Sequence, residues 1–248
     1  PVALIQRAAA LPGETLVSDG LAGTWLWWAY RDRDENGVEL PPERRRRVMV
    51  HNDLACYEEA TYIDRYQHIR YGKPGWQKMV DELGVRSFLL KYTTTGERRF
   101  QAGKPNLRQH LFAASRWLLV DFDDIAAIYV DRDHVPAGVQ VLDGFPIDPD
   151  TGRAVVGTTY RDGQLALVEH ATTHPGGQRA LDIAARRAYQ AGDIAALSTL
   201  VAEALRRDPN SASARQLISL IERRWPQGTG LQPGPTLEGL REALARRE

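Results

Sequence analysis

From Gln178 onward the sequence turns to Ala, Leu and Arg with few breakers, and that change confines the end of the chain to packed helices. Apolar residues recur at helical spacing over 178–190, 193–207, 211–225 and 236–247, and Pro226 to Pro235 separates the last helix from the rest. Before Gln178 the grammar differs: short hydrophobic runs alternate with Gly, Pro and Asp clusters, as strands and turns do. Two folding parts are therefore expected, which suits a chain of 248 residues. The divisions read from composition are an α/β domain over 1–133, a linker with some β content over 134–176, and a helical tail over 177–248.

Within the front part, residues 3–10 predict a short helix stopped by Leu11-Pro12-Gly13, and a strand follows over 14–20. Trp25 to Tyr30 continue as an aromatic helix or strand, and Arg47 to Asp53 read as a second strand. Pro74-Gly75-Trp76 opens a helix with Met79, Val80 and Leu83 on one face, Gly84 closes it, and the strand Ser87 to Tyr92 follows at once. That order is the returning half of a right-handed crossover, so the expected fold class is α/β, a mostly parallel sheet with flanking helices. Pro105 to Ala114 predict a further helix. Arg116 to Phe122 and Ile125 to Val130 predict a terminal hairpin turning at Asp123-Asp124, because Asp tolerates tight backbone and bonds its own main chain. In the linker, Asp148-Pro149-Asp150-Thr151-Gly152 is a turn and Gln164 to Glu169 a short strand.

Charge excludes several function classes. Lys plus Arg and Asp plus Glu are both 32, so no net field draws nucleic acid or anionic lipid, and Arg44 to Arg47 beside Glu43 reads as a solvated loop. No nucleic-acid partner is expected. The single cysteine, Cys56, excludes an internal disulfide and a cysteine-built zinc site. No apolar run approaches the ~20 residues that span a bilayer, so the sequence as given is expected to dissolve in water.

Candidate chemistry centres on acids and indoles. Asp19, Asp53 and Asp121, the last with Asp123 and Asp124, fall at predicted strand ends, where open α/β sheets place ligand sites. Paired carboxylates there would perform acid–base work or hold a divalent ion; aspartates at strand ends also bond turn amides, and the sequence favours that role. Trp25, Trp27 and Trp28 cannot all face one core from a single strand, so they offer a sugar-stacking or membrane-interface surface as well as core packing. His170 and His174 have the spacing of a helical zinc pair, but Thr172-Thr173 and Pro175-Gly176-Gly177 predict a loop there, and no metal is expected. Cys56 with His51 and Asp53 lacks an oxyanion site and reads as an inert thiol. Nucleotide-loop and nucleophile-elbow patterns are missing, so no cofactor is expected.

The stretch Gly192 to Asn210 resembles the turn and second helix of a tetratricopeptide repeat. A glycine turn leads into a helix whose small residue, here Ala204, admits the paired helix, and Pro209 stops it. Leu197 stands where that family has a small residue, and Tyr189 is one position from the expected aromatic. The resemblance implies a protein partner bound through the helical tail.

The first ~130 residues resemble the soluble domain that follows the last membrane span in bacterial proteins related to membrane-embedded glycosyltransferases. The carrying order is Val17 to Trp28, Arg47 to Asp53, Pro74-Gly75-Trp76, Gly84 to Leu90, and the hairpin Trp117 to Val130. Trp27-Trp28-Ala29-Tyr30 lacks the acid and glycine of the oligosaccharyltransferase acceptor motif. The likeness implies an extracytoplasmic, periplasmic appendage whose parent chain supplies membrane contact and catalysis, with a glycan as a further partner. Two alternatives stand beside it: a carbohydrate-active or metal-dependent enzyme using the strand-end aspartates, and a stand-alone peptide-binding helical scaffold.

Overall fold

The computed structural model describes residues 2–11, 14–17, 38, 60–92, 107–174, 177–224 and 236–246. They fall into two compact units, Pro1–Asp143 and Gly144–Glu248.

In the first unit, helix α1 (Val2–Ala9) precedes strand β1 (Glu14–Val17), and helices α2 (Ala60–Arg70) and α3 (Trp76–Glu82) precede strand β2 (Val85–Lys91). Helix α4 (Leu107–Ala113) then leads to strands β3 (Trp117–Phe122) and β4 (Ala126–Asp131), closed by a 3-10 turn at Arg132–His134. Gly75, at φ 87°, sets the entry angle of α3 so that Trp76 and Val80 fall on one buried stripe. Gly84, at φ 66°, ends the helix and drops the chain into β2, the glycine stop that the sequence predicts.

Strand order is β1-β2-β4-β3. Strand β1 pairs with β2 in parallel, whereas β4 runs antiparallel to both β2 and β3. The described sheet is therefore mixed, which corrects the expected mostly parallel sheet. Its cause is the hairpin, which inserts β4 beside β2 so that two of the three described pairings are antiparallel. The predicted strand over 47–53 lies outside the described residues.

Both hairpin strands are buried along their whole length, so each face of the sheet is covered. On one face Leu4, Ile5, Ala8 and Leu11 of the first helix and its exit pack on Leu89, Leu118, Val120, Ile128 and Val130. Alternation sends Phe88 and Trp117 to the other face, where their rings meet edge to face at 4.7 Å and Trp76 approaches Phe88 at 6.5 Å. Inside the sheet the Thr15 and Ser87 hydroxyls bond each other at 2.7 Å, which satisfies two buried polar groups at the parallel pairing.

The second unit is helical: α5 (Tyr160–Thr173), α6 (Arg179–Ala191), α7 (Ile194–Arg207), α8 (Ala212–Arg224) and α9 (Leu237–Ala245). The four helices predicted after Gln178 are all present. The segment read as a strand, Gln164 to Glu169, instead lies inside α5. Thr159 caps that helix by accepting the Asp162 amide, and Leu167, Val168 and Ala171 are buried at helical spacing, so the Thr-x-x-Asp start outweighs the short apolar run. Ahead of it the predicted turn is present: Ile147 and Ala154 bridge across Asp148 to Gly152, with the Asp148 carboxylate accepting from the Asp150 amide at 2.9 Å and the Thr151 hydroxyl at 2.6 Å.

Helices α6 and α7 form a tight hairpin. Gly192 at φ 74° stops the first, and Asp193 caps the second through the Ala196 amide. Helix α6 is central, contacting α5, α7 and α8, and it buries Ala180, Ala184, Ala185 and Ala188, whose methyls let three neighbours approach closely. Helix α9 packs on α5 and α7. The side chains of Leu197, Leu200, Val201 and Ala204 complete the interior of this unit.

Candidate functional site

Of the acids and indoles singled out in the sequence, Asp19, Trp25, Trp27, Trp28 and Asp53 lie outside the described residues, as do His51 and Cys56. Asp121 is described. It sits buried in β3, accepts the Arg7 guanidinium of α1 and takes the Phe122 amide at 2.8 Å. It therefore ties the first helix to the sheet. Asp123 accepts the Ile125 and Ala126 amides at 2.8 and 2.9 Å, the turn-capping role that hairpin aspartates favour. His170 lies in the last turn of α5 and His174 caps it, so the helix absent from the sequence reading is there; the two imidazoles stack with centroids 4.3 Å apart.

At one end of the sheet five ionisable side chains converge. The Asp131 carboxylate, at the end of β4, accepts Arg116 through Nη2 at 2.8 Å and Nε at 3.2 Å. Arg116 also bridges to Asp81 at the end of α3, and its guanidinium lies 5.0 Å from the Trp117 ring centroid. Arg86 approaches Asp81 at 3.5 Å and Asp131 at 3.8 Å, and His134 Nδ1 stands 3.6 Å from Asp131. Burial alone would raise the Asp131 pKa; the Arg116 hydrogen bonds, the Asp133 amide and the charges of Arg116 and His134 outweigh it and hold the carboxyl below its ordinary range. Asp81 is lowered chiefly by its Arg116 hydrogen bond, and Arg116 is raised chiefly by Asp81. Acids held so firmly ionised are poor proton donors near neutrality. Their geometry is that of a clamp joining α3, β2, β3 and β4.

A second cluster, in the helical unit, was missed in the sequence. The Tyr160 hydroxyl donates to Asp193 at 3.0 Å, and Gln164 Nε2 donates to Tyr160 Oη at 3.2 Å and to the Ala184 carbonyl at 3.0 Å. Burial, then the Asp193 charge, pushes the Tyr160 phenol up from its usual range. Arg187 of α6 lies over this tyrosine, with Cζ 6.0 Å from the ring centroid. Burial lowers its pKa, and only an ionised Tyr160 would oppose that shift. The guanidinium fits because Gly163 has no side chain: a Cβ there would stand 2.7 Å from Arg187 Nη2. A glycine inside a helix was the one local clue, since it costs about 1 kcal/mol relative to alanine unless something needs the space.

These features define the chain as a mixed α/β unit joined to an all-helical unit containing a tight helical hairpin. No family model, curated protein or solved structure matches it.

Proposed function

We propose that the protein is a non-catalytic accessory domain of a larger bacterial membrane protein of the glycosyltransferase-related kind, held on the periplasmic face and engaging a protein partner through its helical unit. The observation that carries this reading is the use made of the described acids in the first unit. Asp81, Asp121, Asp123 and Asp131 each spend their oxygens on arginines or main-chain amides that join one element to the next. Carboxylates so engaged stabilise a platform.

The membrane part of the proposal rests on the ordered likeness from Val17 to Val130. No described helix is long and apolar enough to cross a membrane, so spans would belong to other parts of the parent protein. In the helical unit, the Gly192 turn, the Ala204 contact and the Pro209 stop support a tetratricopeptide-like hairpin whose outer surface binds protein. Reading the gene upstream of Pro1 tests the first part: several hydrophobic spans in frame are expected, and a start codon adjoining Pro1 would refute it. For the second part, a chain lacking the region after Gln178 is expected to lose its partner in pull-down, and retention of every partner would exclude the helical surface.

A further inference from the structure

We infer that Arg187 is the anchor of a carboxylate-binding site on the helical unit, a specific contact for the protein partner just proposed and resting on that proposal for its occupant. Among the described residues the Arg187 guanidinium has no hydrogen-bond acceptor and no ion-pair partner; it lies over the face of Tyr160. Its Nε is enclosed and without an acceptor. Other arginines of this unit are satisfied locally: Arg161 by the Leu244 carbonyl, Arg179 by the carbonyls of Pro149 and Asp150, Arg207 by Glu203 and the Ala171 carbonyl. Arg187 alone in that comparison carries a part-buried guanidinium with nothing opposite it. An anion would complete its unmet hydrogen bonding, and guanidinium is the side chain whose fork matches a carboxylate.

Surrounding residues hold the fork in place and keep competing acids away. The Tyr160 ring lies beneath the guanidinium, and Gly163, having no side chain, leaves room for Nη2. Asp193, the carboxylate of the cluster, is occupied by the Tyr160 hydroxyl and the Ala196 amide. Gln164, fully buried, spends both amide hydrogens on Tyr160 and Ala184 and so fixes the ring from behind. The site thus presents one cation beside a tyrosine whose hydroxyl is tied to Asp193. One such cation balances a single negative charge, which favours a carboxylate over a phosphate dianion.

The test uses the full chain and simple probes in low salt, read by the backbone amide of Gly163 and the Nε–H of Arg187 in nitrogen-proton spectra. Acetate, a capped peptide with one glutamate and amidated end, and a capped alanine peptide with a free carboxyl end are titrated in turn. A saturable shift with at least one of the three is expected. In Arg187→Met the Gly163 response should weaken by about tenfold, the loss of one charge-assisted contact, and Arg187→Lys should fall between. Thermal unfolding of each variant confirms that it folds, and Arg187→Gln serves if Arg187→Met does not. Linear, unsaturated shifts, or equal saturation in Arg187→Met, would overturn the site; tighter binding of inorganic phosphate would overturn its carboxylate class. Saturation by acetate with neither peptide would keep the site and remove the protein partner as its occupant, whereas the upstream gene sequence bears only on the membrane reading.

Discussion

Replacing Gly163 by alanine should destabilise the protein, although the same change in an unencumbered helix would stabilise it by about 1 kcal/mol. The new methyl would stand 2.8 Å from Ile147 Cδ1 and 2.7 Å from Arg187 Nη2, both closer than carbon normally tolerates. The arginine end can swing away, forfeiting its position over Tyr160 at about 0.5–1 kcal/mol. Ile147 cannot, because it is fully buried. Overpacking of this kind costs about 1–3 kcal/mol, so after the helix gain the net loss is about 1 kcal/mol. Urea unfolding of wild type, Gly163→Ala, Ile147→Val and the double variant measures it. Ile147→Val alone should cost about 1 kcal/mol and, by removing Cδ1, should abolish most of the Gly163→Ala penalty, giving a coupling of about 1 kcal/mol. A Gly163→Ala protein more stable than wild type by about 1 kcal/mol would refute the packing described around this helix turn.

The sheet-end clamp makes a pH-dependent prediction. Asp131 and Asp81 have folded pKa values below the unfolded ~3.9, so their contribution is complete above that value and is lost as pH falls through the folded one. Asp131→Asn should cost about 1–3 kcal/mol at pH 7, since Arg116 keeps Asp81, and its unfolding midpoint should vary less than wild type's below about pH 4; parallel acid profiles would remove Asp131 from that role. Thr159→Ala deletes the cap of α5 and should lower stability by about 1 kcal/mol in chemical unfolding, with no change expected if the helix began elsewhere. Leu200→Ala, at a wholly buried position of α7, should cost about 2–5 kcal/mol, and a cost under about 0.5 would show that the hairpin interior is not packed as described.

Helix and strand positions were legible wherever one local signal dominated. Pro74-Gly75-Trp76, the Gly84 stop, the Asp123-Asp124 turn and the breaker-free helices after Gln178 depend on φ preferences and short-range hydrogen bonds, which a residue carries with it. Gln164 to Glu169 lies in a helix because the four apolar residues Leu165 to Val168 follow the cap at Thr159, which a short apolar run read by itself does not reveal. The same omission hid the helical setting of His170 and His174.

Sequence alone determined a β-containing front, a helical end and the turns that punctuate them, because those follow from composition, periodicity and backbone freedom close along the chain. Tertiary structure decided strand order, with β4 entering between β2 and β3, and it brought Arg187 over Tyr160 across a gap of 27 residues. Which charges meet, and which are left without an acceptor, depends on distances between elements, and these are set by side-chain packing that no local pattern encodes.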